Sequence, residues 1–221
     1  MNVIGVVGGT GPQGRGLAYR FAKAGRQVVL GSRDPERAWQ TAQAVLERVP
    51  NAKVSAADNA DTCRQADVVV LAVPFLGHAE LIESIEPLIR NKVVVSCINP
   101  LGFDRHGPFG LDVQDGSAAE EAQRIAPSAF VVGAFHHLSA SNLWGDAQLL
   151  SHEDVLVCGE NAAAKMAVAD LARSITGRPG IDAGGIRLAR QLEPLTAVLI
   201  SVNKRHRVKS GIRIAGLAPA S

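Results

Sequence analysis

The chain has 221 residues, of which 47% are hydrophobic, 20% charged and only 4% aromatic, and its formal net charge is +2. These values are typical of one large globular domain with a conventional apolar core, and they exclude disordered and fibrous classes. The cysteines Cys63, Cys97 and Cys158 are odd in number and far apart. We therefore expect buried thiols rather than a disulfide framework, and we expect no metal site. No apolar run approaches the roughly 20 residues that cross a bilayer, so we expect a soluble, cytoplasmic protein without a membrane partner.

Short β-rich runs alternate with helical patterns along the chain, which is typical of βαβ units and a mostly parallel sheet. Strands are predicted near residues 2–7, 27–30, 53–56, 67–73, 92–96, 130–134, 155–158 and 179–182. Helices are predicted near residues 12–24, 35–48, 60–65, 78–89, 161–174 and 188–202, and a capping box at 117–120 opens another. Residues 97–116, rich in Gly and Pro, are predicted to form a long loop. The pattern predicts an α/β fold of the Rossmann type, with a doubly wound, mostly parallel sheet.

A glycine-rich segment follows the first predicted strand and opens the first predicted helix. It matches G-x-G-x-x-G and consists of Gly9, Thr10, Gly11, Pro12, Gln13 and Gly14. Glycines allow the tight turn and the close approach of a pyrophosphate, and the helix N-terminus offers unpaired N–H groups and a partial positive charge. In this context the motif predicts a dinucleotide-binding site.

The end of the second predicted strand indicates which dinucleotide is bound. Sites for NAD commonly carry Asp or Glu here, whereas this chain has Ser32 and Arg33, with Arg37 one helical turn later. A carboxylate would repel a 2′-phosphate, and arginine offers fixed donors that suit it. We therefore predict binding of NADP(H).

Three further segments follow strands of the predicted sheet. They contain Val73 and Pro74, Asn99 and Leu101, and the pair His136 and His137. Ligands of open parallel sheets bind beyond the carboxyl ends of the strands, so these segments are predicted to line a nicotinamide pocket. Either histidine could donate to a carbonyl of a bound ring or move a proton, and the sequence does not distinguish them. The other histidines are expected at the surface: His78, His106, His152 and His206.

Several short motifs occur in the same order over nearly the whole chain. They are residues 6–11 (VVGGTG), 31–33 (GSR), 99–101 (NPL), 116–121 (GSAAEE), 134–140 (AFHHLSA), 182–184 (DAG), 192–195 (LEPL) and 211–214 (GIRI). In these motifs the sequence resembles F420-dependent NADP reductases. The glycine loop alone would not separate this family from other Rossmann enzymes, but the later motifs do.

The resemblance implies a homodimer that transfers hydride directly and reversibly between NADP(H) and the deazaflavin coenzyme F420. It implies an NADP-binding Rossmann domain at residues 1–140. Residues 141–221 would then form a small α/β portion that covers the cleft and contributes to the deazaflavin site and to dimerisation. Carried over by motif, the phosphates would contact residues 10–13, Ser32, Arg33 and Arg37, and the nicotinamide side would include Val73, Asn99, Leu101 and Ala140. His136 would contact the deazaflavin, and Leu138 would pack against the reacting rings.

The charge distribution fits this resemblance. No acidic residue follows Glu193, whereas five basic residues do, among them Lys204, Arg205 and Arg207. The F420 tail is acidic, so we expect these side chains to attract it, although an ordinary solvated face would have the same composition. The cluster is short and lacks interleaved aromatic residues, so nucleic-acid binding is not expected.

Other functions remain open from the sequence. An NADPH-dependent flavin or ferric reductase would carry the same Rossmann signals, as would a non-catalytic NADP-sensing module. A hydroxyacid or imine reductase is disfavoured, because only about 30 residues follow Arg190, too few for the large helical substrate domain such enzymes use.

Overall fold

The computed structural model describes residues 3–217 and contains ten strands. The strands are β1 (Val3–Val7), β2 (Gln27–Ser32), β3 (Val54–Asp58), β4 (Val68–Leu71), β5 (Val93–Ser96), β6 (Leu101–Asp104), β7 (Gly107–Gly110), β8 (Phe130–Ala134), β9 (Leu156–Gly159) and β10 (Ile181–Gly184). The helices are α1 (Pro12–Lys23), α2 (Pro35–Arg48), α3 (Asn59–Gln65), α4 (His78–Ile89), α5 (Ala118–Ile125), α6 (Ala140–Leu143), α7 (Ala162–Thr176) and α8 (Ala189–His206), with a 3₁₀ turn at Ile186–Leu188. None of these helices is long and apolar enough to cross a membrane.

Eight strands form one sheet in the order β3-β2-β1-β4-β5-β8-β9-β10. All neighbouring strands are parallel except β8 and β9, which run antiparallel. Every residue of β4 and β5 is buried, because helices cover both faces of the sheet and the strands are continuous apolar runs. The predicted Rossmann-type fold is confirmed.

The register of the central strands places their carboxyl ends at one edge of the sheet. Val6 of β1 pairs with Leu30 of β2, and Val7 pairs with Leu71 of β4. The strand order also reverses at β1, because β2 lies on one side of it and β4 on the other. A crevice is expected beyond the strands at such a point.

The predicted elements of the main sheet are present, with small differences in their bounds. The first was predicted from Asn2, which lies outside the described residues. The fourth ends at Leu71 rather than Val73, so that Val73 and Pro74 follow the strand. The short α6 and the 3₁₀ turn were not predicted.

The prediction of a long loop at residues 97–116 is wrong, because β6 and β7 form an antiparallel hairpin within it. At its turn, Oδ1 of Asp104 accepts hydrogen bonds from the backbone N–H groups of His106 and Gly107, at 2.7 and 3.1 Å. Gly107 has φ of +121°, a conformation that favours glycine. The hairpin also packs against α8, where a Cβ added at Gly110 would lie 2.8 Å from Cβ of Pro194. This support comes from a distant part of the chain.

A buried carboxylate joins α8 to α5. Glu193 accepts hydrogen bonds from the backbone N–H groups of Ala118 and Ala119, at 2.9 and 3.0 Å. These groups belong to the first turn of α5, where an anion is favoured. Burial nevertheless raises the pKa of Glu193 to about 7, against the two N–H groups that lower it. The docking of α8 therefore depends on a carboxyl group that titrates near neutral pH.

Substitution of Glu193 by Gln tests this titration. A carboxyl group whose pKa is raised on folding keeps its proton in the native state while the unfolded chain has lost it. The native state is therefore destabilised as pH rises from the ordinary value of 4.5 to about 7. The loss over this range is roughly 3 kcal/mol for one such group. Urea unfolding of Glu193→Gln at pH 5 and 8 should show a flatter pH dependence than the wild type.

The exposed residue Glu47 provides the matched control. Glu47→Gln should retain the wild-type pH dependence. An unchanged slope in Glu193→Gln would contradict the assignment.

Candidate functional site

The glycine loop connects β1 tightly to α1. Gly8 has φ of +74°, and the N–H of Gly9 donates to the Gly31 carbonyl at 2.9 Å, which ties the loop to β2. A Cβ at Gly14 would lie 2.8 Å from the Gly8 carbonyl oxygen and 2.9 Å from Cα of Gly9. No side chain caps α1, which begins at Pro12. The free N–H groups of its first turn are therefore available to an anion.

A first cleft of about 450 Å³ lies at this loop. It is lined by Gly8, Thr10, Gly11, Ser32, Arg33, Asp34, Arg37, Asn59, Ala72, Val73, Pro74, Leu76, Gly77 and Leu81. The side chains of Arg33 and Arg37 are exposed and form no ion pair with any residue between 3 and 217. The buried Oδ1 of Asn59 likewise has no hydrogen-bond partner in that range. The cleft thus presents two free cations and one unpaired acceptor.

The carboxylate of Asp34, which also lines this cleft, is occupied by the backbone. Its Oδ1 accepts from the N–H groups of Glu36 and Arg37 at 3.0 and 3.3 Å, so Asp34 caps α2. The backbone N–H of Asp34 in turn donates to Oγ of Ser32 at 3.1 Å. The acid is held at the helix N-terminus, which offsets its charge and leaves the arginines to determine the sign of the cleft.

A second cavity of about 630 Å³ shares a wall with the first cleft. Pro74, Leu76 and Gly77 line both. The other residues of the second cavity are Phe75, His78, Ala79, Glu80, Asn99, Leu101, Phe103, Leu111 and Glu121. Its walls are largely apolar, and the side chains of Leu76 and Phe103 are 95% and 69% exposed. Ligands bound in the two cavities would therefore adjoin one another at the residues that line both.

The end of β8 fixes one side of this region. Phe135 is buried at φ of +65°, an uncommon conformation for an aromatic residue, and its carbonyl accepts from Nε2 of Gln13 at 3.2 Å. The next carbonyl, that of His136, accepts from Nδ2 of Asn99 at 2.8 Å and from Oγ1 of Thr196 at 2.9 Å. These bonds orient Asn99, whose buried Oδ1 has no partner among the described residues.

The two adjacent histidines lie beneath the surface. His136 is only 2% exposed, and burial, with a contribution from neighbouring His137, lowers its pKa to about 3. Burial also lowers the pKa of His137, whose Nε2 lies 2.5 Å from the Asp154 carbonyl. Because a carbonyl only accepts, Nε2 of His137 carries the proton. Both rings are therefore neutral at pH 7.

The remaining predicted residues of this segment are also inward-facing. Leu138 is buried in the core cluster that includes Phe135 and Leu143, and Ala140 is half-buried at the start of α6. Of the predicted site residues, the structure brings onto the two cavities Thr10, Gly11, Ser32, Arg33, Arg37, Val73, Pro74, Asn99 and Leu101. Those that line neither cavity include Gly9, Pro12, Gln13, Gly14 and Ala140. His136, His137 and Leu138 support that region from within.

Sequence reasoning missed one buried histidine. His78 was expected at the surface, but it is 1% exposed and its Nδ1 lies 2.6 Å from Oε2 of Glu121. The partner is 43 residues away, so no local pattern could reveal the pair. The expectation was correct for His106, His152 and His206, which are exposed.

The thiols are buried, as expected. All three cysteines are free and buried, and burial raises the pKa of each to about 12. A thiolate is the reactive form, so these residues are packing groups rather than nucleophiles.

The fold and the glycine loop define the class to which the protein belongs, the Rossmann-type dinucleotide-binding proteins. Residues 3–100 match the family described as NADP oxidoreductase, coenzyme F420-dependent. The chain is 40% identical to the F420-dependent NADP reductase of Methanothermobacter thermautotrophicus, over 97% of this chain and 95% of that protein. It therefore belongs to the F420-dependent NADP reductase family.

Two further similarities are informative. A crystal structure from Arthrobacter sp. FB24, provisionally described as an F420-dependent NADP reductase, superimposes with a TM-score of 0.82 at 31% identity, covering 97% of this chain and 99% of that one. The chain is also 29% identical to the metalloreductase STEAP3 of Rattus norvegicus, over 89% of this chain but only 37% of that protein.

Replacement of Gly14 by Ala should disturb the phosphate loop. Its new Cβ would meet two backbone atoms of Gly8 and Gly9 at 2.8 and 2.9 Å, which cannot move aside as a side chain could. We expect a loss of about 1–3 kcal/mol in the free energy of unfolding, measured by urea denaturation. Gly11→Ala is the matched control, because its Cβ would lie 3.5 Å from the Gly8 carbonyl oxygen. Equal stability of the two variants would contradict the proposed close packing.

Proposed function

We propose that the protein is an NADPH-dependent F420 reductase, an oxidoreductase that transfers hydride directly and reversibly between NADP(H) and coenzyme F420. The observation that carries this proposal is the shared wall at Pro74, Leu76 and Gly77 between a cationic phosphate cleft and an apolar second cavity. Hydride transfer requires two rings in contact, and two cavities that adjoin at the same residues would bring their ligands next to one another.

The first cleft fits NADP(H). The pyrophosphate would bind at the N-terminus of α1 to the backbone of the glycine loop. This loop consists of Gly9, Thr10, Gly11, Pro12, Gln13 and Gly14. Ser32, Arg33 and Arg37 would bind the 2′-phosphate, since neither guanidinium group forms an ion pair within residues 3–217. The unpaired Oδ1 of Asn59 offers an acceptor in the same cleft.

The second group of residues would hold the reacting rings. Val73, Pro74 and Leu101 provide apolar contacts, and the unpaired Oδ1 of Asn99 suits the N–H donors of a nicotinamide carboxamide. Ala140 would complete the nicotinamide side. NADPH supplies the hydride when bound, and this chain's residues orient the ring and exclude water.

The β8 segment would support the reacting rings from behind, with His137 bound to the Asp154 carbonyl. The family resemblance implies contact of His136 with the deazaflavin and of Leu138 with the reacting rings. Both side chains are buried and line neither cavity, so these contacts would require the segment to move when the coenzyme binds.

We assign residues 1–140 to NADP binding and residues 141–221 to the deazaflavin site and to dimerisation. Thr196 of α8 donates to the carbonyl of His136, a contact between the two parts that supports a contribution of residues 141–221 to the site. Val198, Val208 and Leu217 are exposed apolar residues of the second part, as a homodimer interface would require. Lys204, Arg205 and Arg207 are exposed and could attract the acidic F420 tail. We propose that the protein is a cytoplasmic homodimer. Analytical ultracentrifugation would measure the mass of the assembly.

A flavin or ferric reductase is the second candidate function. The similarity to STEAP3 favours it, but the chain spans little more than a third of that protein. A non-catalytic NADP-sensing module would show no turnover with any acceptor.

The test is a spectrophotometric assay with purified protein, F420 and NADPH, with FMN, FAD and ferric ion as parallel acceptors. We expect the deazaflavin absorbance to disappear with NADPH, and little reaction with the other acceptors. Rapid reduction of a flavin or of ferric ion while F420 remains oxidised would replace this proposal with the alternative.

Loss of the two free guanidinium groups should abolish the preference for NADPH over NADH. Arg33→Ala and Arg37→Ala each remove charge-assisted hydrogen bonds of about 1.5–3 kcal/mol, so NADPH should dissociate about 10–100-fold more readily. Titration of NADPH and NADH fluorescence measures both affinities. The affinity for NADH should remain nearly constant. Arg173→Ala, on α7 and away from the cleft residues, is the control and should bind NADPH like the wild type. Unchanged discrimination in both cleft variants would show that the arginines do not bind the 2′-phosphate.

A further inference from the structure

A buried histidine–glutamate pair in the second cavity has no role in the function described so far. His78 is the first residue of α4, its side chain is fully buried, and Glu121 stands in the first turn of α5 with a side chain that is 15% exposed. Both residues line the cavity that adjoins the phosphate cleft. The pair therefore connects the protein interior to the wall of a ligand site.

The geometry of the pair indicates which ring nitrogen carries the proton. Glu121 lies in the first turn of α5, and His78 is the first residue of α4. A carboxylate only accepts hydrogen bonds, so Nδ1 of His78 carries the proton and donates to Oε2 of Glu121 at 2.6 Å. The other ring nitrogen, Nε2, is then an unprotonated acceptor.

This acceptor is unsatisfied. Nε2 of His78 is buried and has no hydrogen-bond partner among residues 3–217. A buried acceptor without a donor lowers stability, and a ligand in the adjoining cavity would supply the donor once it displaces the side chains that cover the ring. A carboxylate that orients an imidazole through Nδ1, leaving Nε2 free, is also the arrangement of a general base.

We propose that His78, oriented by Glu121, is the proton acceptor and donor for the coenzyme in the second cavity. This inference rests on the proposed function. When reduced deazaflavin is oxidised, the breaking C–H bond sends its electron pair and hydrogen to C4 of the nicotinamide ring. The N–H proton that must also leave goes to Nε2 of His78, and Glu121 stabilises the imidazolium. In the opposite direction, the imidazolium returns the proton as hydride arrives.

Other charged groups surround the pair and enter any pH profile. Glu80 lines the same cavity. Glu83 and Glu121 both interact electrostatically with Arg124 on the facing helix. Glu120 and Glu121 both interact electrostatically with the buried Glu193. Glu121→Gln removes the orienting charge while keeping the size of the side chain. A change in the pH profile of this variant therefore reports on the His78–Glu121 pair, because the other acidic residues are unchanged.

The first test observes the ring directly and requires no turnover. In ¹⁵N-histidine-labelled protein, the His78 signals, assigned by their loss in His78→Gln, should show a protonated Nδ1 and an unprotonated Nε2 at pH 7. Addition of F420 to the complex with NADP⁺ should shift the Nε2 signal. A protonated Nε2 in the free protein, or an Nε2 signal that F420 leaves unchanged while it binds, would overturn the proposal.

The second test measures catalysis. His78→Gln should lower kcat for F420 by about 100-fold, the usual scale of general acid–base catalysis, with NADPH affinity unchanged. Glu121→Gln should lower kcat less and displace its pH profile. The exposed His106, on the hairpin turn, gives the control His106→Gln, which should match the wild type.

The outcomes also separate this inference from the proposed function. A wild-type protein that fails to reduce F420 with NADPH would refute the proposed function itself. An active wild type together with a folded His78→Gln of wild-type kcat and pH profile would refute only the role of His78. Should His78→Gln fail to fold, Glu121→Gln carries the same decision, because wild-type kcat and pH profile in that variant would refute the role of the pair.

Discussion

The position of β1 between β2 and β4 is the constraint on which the rest of the site depends. The chain leaves β1 towards β2 on one side of the sheet and later returns to β4 on the other, so the connections diverge beyond the carboxyl ends. The glycine loop lies at the start of that crevice. It is packed so closely that a side chain at Gly14 would collide with its backbone. The first cavity lies at this loop, and the segment after β4 lines both cavities.

The two cavities differ in the interactions they offer. The first presents backbone N–H groups and two arginines that form no ion pair in the described part of the chain, and both kinds of group suit phosphate. The second is apolar, with single unpaired nitrogen or oxygen atoms on Asn99 and His78. The carbonyl of His136 joins them to the C-terminal portion, since it accepts hydrogen bonds from both Asn99 and Thr196. A rigid polar frame thus surrounds an apolar space, which is what orientation of two rings requires.

The sequence was informative wherever local signals agree with burial. The continuous apolar runs of β4 and β5, the glycine loop and the Asp34 and Ser117 caps could all be predicted, because each depends on neighbouring residues. The hairpin of β6 and β7 could not, because its Gly- and Pro-rich residues are half exposed and pack on the distant Pro194.

The antiparallel direction of β9 and the burial of His78 depend on similarly distant partners. Strand direction is not encoded in the pattern of apolar residues, which is alike for both orientations when a strand is buried on both faces. His78 looks like an exposed residue at a helix start until Glu121 is brought beside it. The predicted contact of His136 with the deazaflavin remains a prediction.

The central claim is that the two cavities hold two rings in direct contact. The most direct measurement follows the hydrogen itself: NADPH deuterated at C4, with each of the two faces labelled in turn, reacts with F420 in ordinary water, and the reduced deazaflavin is analysed by mass spectrometry. The account predicts that one of the two labelled forms passes its deuterium to the product. A product free of deuterium with both forms would contradict direct transfer and with it the side-by-side arrangement.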